Sequence, residues 1–528
     1  LAHLYFNRFV KNENGLINTV RKYPFVIVYG AGLVGSLTVK RLLANKIEEE
    51  KLIIAVGNDQ PNHTKILCGI KVYTIEEVLQ YVSNALVIIA TMPGLHEGVF
   101  ESLDMKGFQH IIPVSLYIYN NMCEKYVQNF CEVNPINIDK NVKTKIMFMA
   151  SDNSITSGAF LCMVELCISL KQYGVEVIVI LPCYGNGEIL LKKAEICYTY
   201  LLSTHWGYEI SREHDYFYKS IFKYKLLRNK KASQKLVHMI QLYGINLVHC
   251  NTSYTYVGAK AARQLGTPFV WHIREDMNDQ GYNFYCYKKA SQLIEHSNLV
   301  IFVSNYMKSK VQLGTSNQTV VLYDAVNFAD ELYIAPREIL NEATVKMILV
   351  GAISPHKGQK ELIEACAYLK NNNFTDFQLL LVGKGEEHYV KELRKQVKLY
   401  QLEDYIIFYG QSDEVKRLYE NSDFSFMCSN AEPYGRVTIE AQLAGCLVIG
   451  SASGATTELI EDGKTGYLYD TGNVQDLADC IYRAISDVKC SRRIAKFGQC
   501  YAQKTYTKQN QLKRMIEMYE NVLERTLI

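Results

Sequence analysis

Residues Asn430–Glu461 read NAEPYGRVTIEAQLAGCLVIGSASGATTELIE. Pro433 and Gly435 mark a turn after the apolar run Phe424–Cys428, and a helix is expected from Arg436 to Ala444. Gly445 closes that helix in the left-handed conformation that glycine adopts at little cost. The apolar strand Leu447–Gly450 then empties into a Ser/Gly/Thr turn, Ser451–Thr457, and Glu458 opens another helix. Each polar feature falls at the carboxyl end of a strand, where open α/β sheets place their ligands. Two carboxylates, Glu432 and Glu440, stand in this stretch, and buried packing alone does not ask for them. The bland reading makes both solvated acids at a helix start, where the macrodipole favours negative charge.

Upstream, the strand Met347–Val350 empties into the loop Gly351–Gly358, and a helix begins near Gln359. Strands at Leu379–Val382 and Tyr405–Tyr409 join Phe424–Cys428 and Leu447–Gly450 in one α/β unit, 331–504. A second unit, 143–330, begins with the strand Lys145–Met149 and the loop SDNSITSGA ahead of an apolar helix, Phe160–Leu170. Such a loop lets backbone N–H groups and a helix N-terminus face a phosphate or a sugar. Strands follow at Val175–Leu181, Leu247–His249, Pro268–Trp271, Leu299–Val303 and Val320–Tyr323, and their alternation with helix-length stretches implies a parallel, doubly wound sheet. The segment 505–528 has the spacing of a long surface helix that returns to the preceding unit.

A third unit, 22–131, comes first in the chain, after an N-terminal extension 1–21 and before a polar linker 132–142. Its strand Phe25–Tyr29 runs into Gly30-Ala31-Gly32-Leu33-Val34-Gly35 and a helical pattern. In a GxGxxG turn the glycines permit the tight bend, close backbone approach to a pyrophosphate and close helix packing. Asp59, after the strand Leu52–Val56, is placed to accept ribose hydroxyls. NAD or another nucleotide is therefore the candidate ligand at Gly30, Gly32, Gly35 and Asp59; packing alone also accounts for such glycines. With GIKVYTIEEV after the second strand, the unit resembles nucleotide-binding half-domains of polysaccharide-biosynthesis proteins.

The rest of the chain, about Thr144 to Ile528, resembles retaining glycosyltransferases of the GT-B fold, in family 4. The resemblance rests on Glu432 and Glu440 with seven residues between them, on the EAxLAxG-like helix with a strand behind it, and on GATTELIEDGKTGYL from Gly454 to Leu468. It implies an α/β chain in which two Rossmann-like domains face a cleft, preceded by a third. It further implies that Glu440 binds donor ribose hydroxyls, that Glu432 contacts the transferred sugar, and that Lys357 meets the donor diphosphate. Ala352 stands where the family usually has an arginine, so half of that cationic clamp is absent or supplied by Arg436. Gly383-Lys384-Gly385 resembles the glycine turn beside the nucleotide base, and Gly158, Gly454 and Thr456 are implied donor contacts. Ser157 replaces the first of two glycines usual in the Gly158 loop. His272, with Arg274 and Glu275, resembles the acceptor-side loop, where the histidine is expected to contact donor sugar or acceptor. His249, also at a strand end, reads equally well as a satisfied polar residue.

Transfer requires something to neutralise the departing diphosphate. No two aspartates are two apart, so an Asp-x-Asp metal site is not expected, and no cofactor is required for transfer. Fixed charge is the alternative: Lys357, helix N-termini and backbone N–H groups, none of which must reorganise during reaction. The expectation is a metal-independent retaining glycosyltransferase moving a sugar from a nucleotide-sugar donor to a glycan or lipid-linked acceptor in surface polysaccharide biosynthesis. Rivals are a GT-B epimerase or phosphorylase, an NAD-dependent sugar oxidoreductase centred on the first unit, and a non-catalytic nucleotide-sensing scaffold.

The whole chain fits this reading. Its 528 residues suggest about three domains, and a net charge of +3 is too small to argue for nucleic acid. Fifteen cysteines without a CxxC pair read as reduced thiols in a cytoplasmic protein. No run of 18 apolar residues exists. Leu1–Lys22 lacks a signal-peptide layout, and a start at Leu1 without methionine suggests a piece of a longer protein. From Tyr216 to Arg274 there is no Asp or Glu, while Lys219, Lys223, Lys225, Arg228, Lys230, Lys231 and Lys235 crowd the first third with Phe222, Leu226 and Leu227 interleaved. The stretch 219–235 is thus a candidate anchor for an anionic membrane surface, against the alternative of a solvated basic face.

Overall fold

A computed structural model describes residues 13–57, 66–91, 96–114, 118, 122, 124–127, 130, 136–139, 141–155, 157–212, 216–276, 281–284, 287–311, 318–326, 338–412 and 414–528. The chain divides into two compact units, Leu1–Pro135 and Ile136–Ile528.

In the first unit, β1 (Phe25–Tyr29), β2 (Leu52–Val56), β3 (Ile66–Leu67), β4 (Ile70–Thr74), β5 (Ala85–Ile89) and β6 (His110–Pro113) form one six-stranded sheet in the order β3-β4-β2-β1-β5-β6. All pairings are parallel except the short β3–β4 hairpin. Val26, Ile27 and Val28 are wholly buried, as expected of a parallel sheet covered on both faces. The helix Leu33–Ala44 follows β1 directly, with Gly32 as its N-cap.

The second unit contains two larger sheets. Strands β7 (Lys145–Met149), β8 (Glu176–Leu181), β9 (Cys197–Tyr200), β11 (Leu247–Cys250), β12 (Phe269–Ile273), β14 (Leu299–Phe302) and β15 (Thr319–Val321) form a seven-stranded parallel sheet, order β15-β14-β12-β11-β7-β8-β9. A separate antiparallel ribbon pairs β10 (Gly207–Glu209) with β13 (Tyr282–Phe284). Strands β16 (Val345–Val350), β17 (Phe377–Val382), β18 (Ile406–Gly410), β19 (Phe424–Met427), β20 (Leu447–Ser451) and β21 (Tyr467–Tyr469) form a six-stranded parallel sheet, order β18-β17-β16-β19-β20-β21. Helices between successive strands cover both sheets, giving two Rossmann-like halves. One hydrophobic core runs from Trp206 and Trp271 in the first half to Tyr434, Ile439 and Leu459 in the second.

The closing helix, Lys508–Leu523, begins at the N-cap Thr507, whose side chain accepts from the Asn510 amide. It packs on the first half: Tyr519 Oη lies 2.7 Å from His249 Nδ1, and Gln511 Nε2 donates to Asp324 Oδ1 at 3.1 Å. Beyond it, Leu527 O accepts from Thr144 Oγ1 at 2.5 Å, tying the chain end to the start of β7. The basic helix spans Tyr216–Tyr243. Phe222 is buried and Leu226 packs against the core, while Lys223, Lys230, Lys231 and Lys235 are exposed. Most of the apolar interleaving seen in sequence therefore serves the core, and Leu227, 64% exposed, stays outside. The side chain of Lys225 lies outside the described residues. No helix among the described residues is long and apolar enough to cross a membrane. The described cysteines are free thiols.

Candidate functional site

In the second unit the loops after β7, β12, β16 and β19 line a cavity of about 570 Å³. All four lie at the carboxyl ends of their strands, so the cavity sits between the two sheets where parallel topology leaves crevices.

Lys357 and Glu432 meet in its wall. Lys357 follows β16 and Glu432 follows β19, and Lys357 Nζ donates to Glu432 Oε2 at 2.6 Å. Gly358 makes the approach possible: its φ is +70°, and a Cβ there would lie 2.2 Å from the Cys428 carbonyl oxygen. Behind Glu432 stands the Ser/Gly/Thr turn. Ser453 Oγ donates to the Asn430 carbonyl at 2.6 Å, and the Ala455 amide donates to the Glu432 carbonyl at 2.9 Å. Gly454, at φ +56°, is pressed so close that a Cβ would come within 2.6 Å of Glu432 N and O. Gly454 and Thr456, expected as donor contacts, are not among the residues lining the cavity; the turn that carries them braces the Glu432 loop from behind. Thr456 is buried, with no hydrogen-bond partner for its hydroxyl among the described residues.

Arg436, the first residue of the helix Arg436–Leu443, lines the same cavity. Its guanidinium donates to Cys162 Sγ at 2.9 Å, and lies 3.5 Å from Glu440 Oε1 and 3.8 Å from Glu165 Oε1. Burial pushes the Glu440 carboxyl above its ordinary range, and Arg436 opposes that rise. Burial likewise pushes the Cys162 thiol up to about 12, so it is a neutral partner here. Glu440 lies one turn beneath Arg436 and is not part of the cavity wall. Ala352, at the position where an arginine was expected, does line the cavity and brings no charge to it.

On the other side, Gly158 opens the helix Gly158–Tyr173 and lines the cavity, with empty space where a Cβ would project. Ser157, which replaces a glycine, has a local reason to be there. It N-caps the helix by accepting from the Phe160 amide, and its hydroxyl donates to Asp152 Oδ2 at 2.9 Å. Gly383 is not among the residues lining the cavity; at φ +148° it packs behind the lining residue Gly351, and a Cβ would strike the Gly351 carbonyl oxygen at 1.8 Å.

His272 departs from expectation. It is wholly buried and does not line the cavity. The strand was expected to end at Trp271, but β12 runs to Ile273, and His272 remains in register with Ile301. Its Nδ1 lies 3.2 Å from the Arg274 guanidinium, and its Nε2 has no partner among the described residues. Burial first, and then Arg274 and His249, hold the imidazole well below its usual pKa, so it is neutral. His249 is buried beside it, stacked on Phe148.

The residues of this strand end that reach the cavity are Arg274 and Glu275. Arg274 pairs with Asp324, and its Nε donates to Asn251 Oδ1 at 3.1 Å. Glu275 Oε1 accepts from the amide and the hydroxyl of Ser253, both at 2.7 Å. Burial raises its pKa to about 7, against the lowering effect of those bonds and of Arg274. Asp152, which sequence reading did not single out, lines the cavity too; burial raises its pKa while bonds from Ser157, Ser151 and Ser154 oppose the rise. Its one signal in the sequence was its place just past the end of β7.

In the first unit, Gly30 and Gly35 have packing reasons. A Cβ on Gly35 would lie 1.8 Å from the Gly30 carbonyl oxygen, and one on Gly30 would lie 2.7 Å from that of Ala90. A Cβ on Gly32 would meet nothing, so packing does not account for that glycine. Asp59 lies outside the described residues. Among the described residues no group of three or more His, Cys, Asp or Glu is arranged to hold a metal ion.

Comparisons with known proteins agree with this geometry. Residues 156–329 match Glycosyltransferase Family 4, and residues 334–500 match Glycosyl transferases group 1. The chain is 26% identical over 238 residues to N-acetyl-alpha-D-glucosaminyl L-malate synthase of Bacillus anthracis, covering 43% of this chain and 60% of that protein. It is 26% identical over 276 residues to an uncharacterized glycosyltransferase of Methanocaldococcus jannaschii, covering 51% of this chain and 73% of the other. Among solved structures, Anabaena HepE in complex with UDP and glucose superposes with a TM-score of 0.59 at 24% identity, covering 72% of this chain and all of that one. A glycosyltransferase from Rickettsia africae gives a TM-score of 0.58 at 20% identity, over 73% of this chain and all of the other. The chain therefore carries a Glycosyltransferase Family 4 domain followed by a glycosyl transferases group 1 domain, the two halves of a GT-B glycosyltransferase fold.

Proposed function

We propose that residues 143–528 form a retaining, metal-independent glycosyltransferase that takes a sugar from a nucleoside diphosphate donor and passes it to a glycan or lipid-linked acceptor in surface polysaccharide assembly. The observation that carries this reading is the Lys357–Glu432 pair, two loops of one sheet brought to 2.6 Å in the cavity wall. As the donor's glycosidic bond breaks, negative charge grows on the departing diphosphate. Lys357 and the helix N-terminus at Gly158 are the fixed groups aimed at it, and such preorganised charge costs no reorganisation. Glu432, freed from Lys357 by the incoming phosphate, is then available to the hydroxyls of the sugar. The departing phosphate takes the acceptor's proton on the same face, which retains the configuration and needs no covalent nucleophile on the protein.

Replacing Glu440 or Lys357 by alanine lowers transfer by about tenfold or more, equivalent to ~1.4 kcal/mol of transition-state stabilisation. Product analysis by NMR reads the anomeric outcome. Normal turnover in both variants, or an inverted product, contradicts the proposal.

For the first unit, the bare backbone at Gly32 supports a nucleotide-binding role. Thermal stabilisation by NAD or NADP, lost in Gly32→Val, tests it. The exposed lysines of the helix Tyr216–Tyr243 support a peripheral contact with the cytoplasmic face of a membrane.

A further inference from the structure

Charge is distributed unevenly around the cavity. The half built on β16 and β19 contributes Lys357, Arg436 and Glu432, the last paired with Lys357; the half built on β7 and β12 contributes Asp152 and Glu275 beside the Arg274–Asp324 pair. Among the described lining residues of this second side, Arg274 is the sole cation, and its guanidinium is spent: Nε on Asn251, one terminal nitrogen on Asp324, the other beside His272. Above pH 7 an anionic group entering here meets two carboxylates and, among the described lining residues of this side, no available positive charge.

Glu275 is built into the wall. It is only 8% exposed, and both bonds from Ser253 fall on Oε1, leaving Oε2 for a ligand. A carboxylate oxygen held in this way accepts a hydrogen bond from a hydroxyl, and repels a carboxylate or phosphate across the same distance. The Asp152 carboxylate is similarly fixed, by Ser151 and Ser157 on Oδ2 and the Ser154 amide on Oδ1. Tyr254 and Thr252 add further polar lining on this side.

We infer that Glu275, with Asp152 beside it, is the specificity-determining pair of the acceptor side, selecting a neutral hydroxyl-bearing sugar ring and rejecting one that carries a carboxylate. The inference rests on the glycosyltransferase reading above and names the acceptor class for the same cleft. Glu275 receives an acceptor hydroxyl, and its fixed orientation sets which hydroxyl faces the donor.

Ligand-observed NMR on the full chain saturated with UDP at pH 8 tests this with two probes, methyl glucoside and methyl glucuronide, which differ by one carboxylate. The wild-type chain binds the glucoside about tenfold or more tightly than the glucuronide. Glu275→Gln, which keeps an acceptor for Ser253, narrows that ratio and leaves the affinity for UDP unchanged; Asp152→Asn narrows the ratio as well. Equal or tighter binding of the glucuronide, an unchanged ratio in both variants, or no binding of either ring overturns the acceptor inference. Failure of the wild-type chain to bind UDP, GDP, ADP or CMP overturns instead the donor reading on which it rests.

Discussion

Glu458 Oε2 lies 2.8 Å from the hydroxyl of Tyr323, joining the second half of the GT-B unit to the chain that leaves the first. The same carboxylate accepts from the backbone amides of Asn305 and Tyr306, the first residues of the helix Asn305–Lys310. A carboxylate at a helix N-terminus satisfies amides that have no partner within the helix. Ser304 Oγ adds a second tie across the halves, donating to the Pro433 carbonyl at 2.6 Å. Glu458→Ala therefore costs about 1–3 kcal/mol of stability, because two amides and a phenol lose their charged partner. Differential scanning calorimetry checks this; an unchanged melting temperature means that the latch contributes nothing.

Gly454 tests the bracing of the Glu432 loop. Alanine there must adopt a positive φ, which costs on the order of 1–2 kcal/mol, and must also push on Glu432 backbone atoms. Transfer is expected to fall more steeply than stability does. Equal, small losses in both would show that the turn has no hold on Glu432.

Glu275 gives a pH dependence whose sign is fixed. Its folded pKa, about 7, is raised above the unfolded value near 4.5. Burying the protonated carboxyl is therefore favourable below pH 4.5, and that advantage is lost as pH rises to about 7, for a total of roughly 3 kcal/mol. Glu275→Gln, which cannot ionise, raises the melting temperature relative to wild type at pH 8 and leaves it nearly unchanged at pH 4.5. Parallel pH–stability curves for the two proteins contradict the assignment.

The basic helix predicts sedimentation with vesicles that contain anionic lipid, at roughly 1 kcal/mol for each basic residue near the surface. Binding weakens as salt rises, and Lys→Glu changes at Lys223, Lys230, Lys231 and Lys235 abolish it. Salt-insensitive binding, or none at low salt, removes the membrane role.

The fold was legible because strands buried on both faces of a parallel sheet are written as short runs of Val, Ile and Leu, such as LIIAV at β2. The ribbon of β10 and β13 was missed for the opposite reason. Its three-residue strands, GYE and YNF, are half-exposed and carry no apolar run. At the site, Glu432 and Lys357 stand 75 residues apart, and only the resemblance joined them before the structure did. His272 was misplaced by two residues of strand length. Apolar runs reveal that a strand exists more reliably than where it ends, and here the end decides whether the histidine or Glu275 faces the cavity. Gly454 and Gly383 carried a motif's signature, but their freedom from a side chain serves loop packing.

The most direct test of the cleft is thermal stabilisation by UDP, GDP, ADP, CMP and NAD, measured for the intact wild-type chain and for Lys357→Ala. At a hundredfold excess over its dissociation constant, a nucleotide that binds the native state adds about 2.7 kcal/mol, enough to move a melt by several degrees. A donor site at Lys357 predicts that one nucleotide stabilises the wild-type chain and fails to stabilise Lys357→Ala. Stabilisation equal in both proteins, or stabilisation by NAD alone, would contradict it.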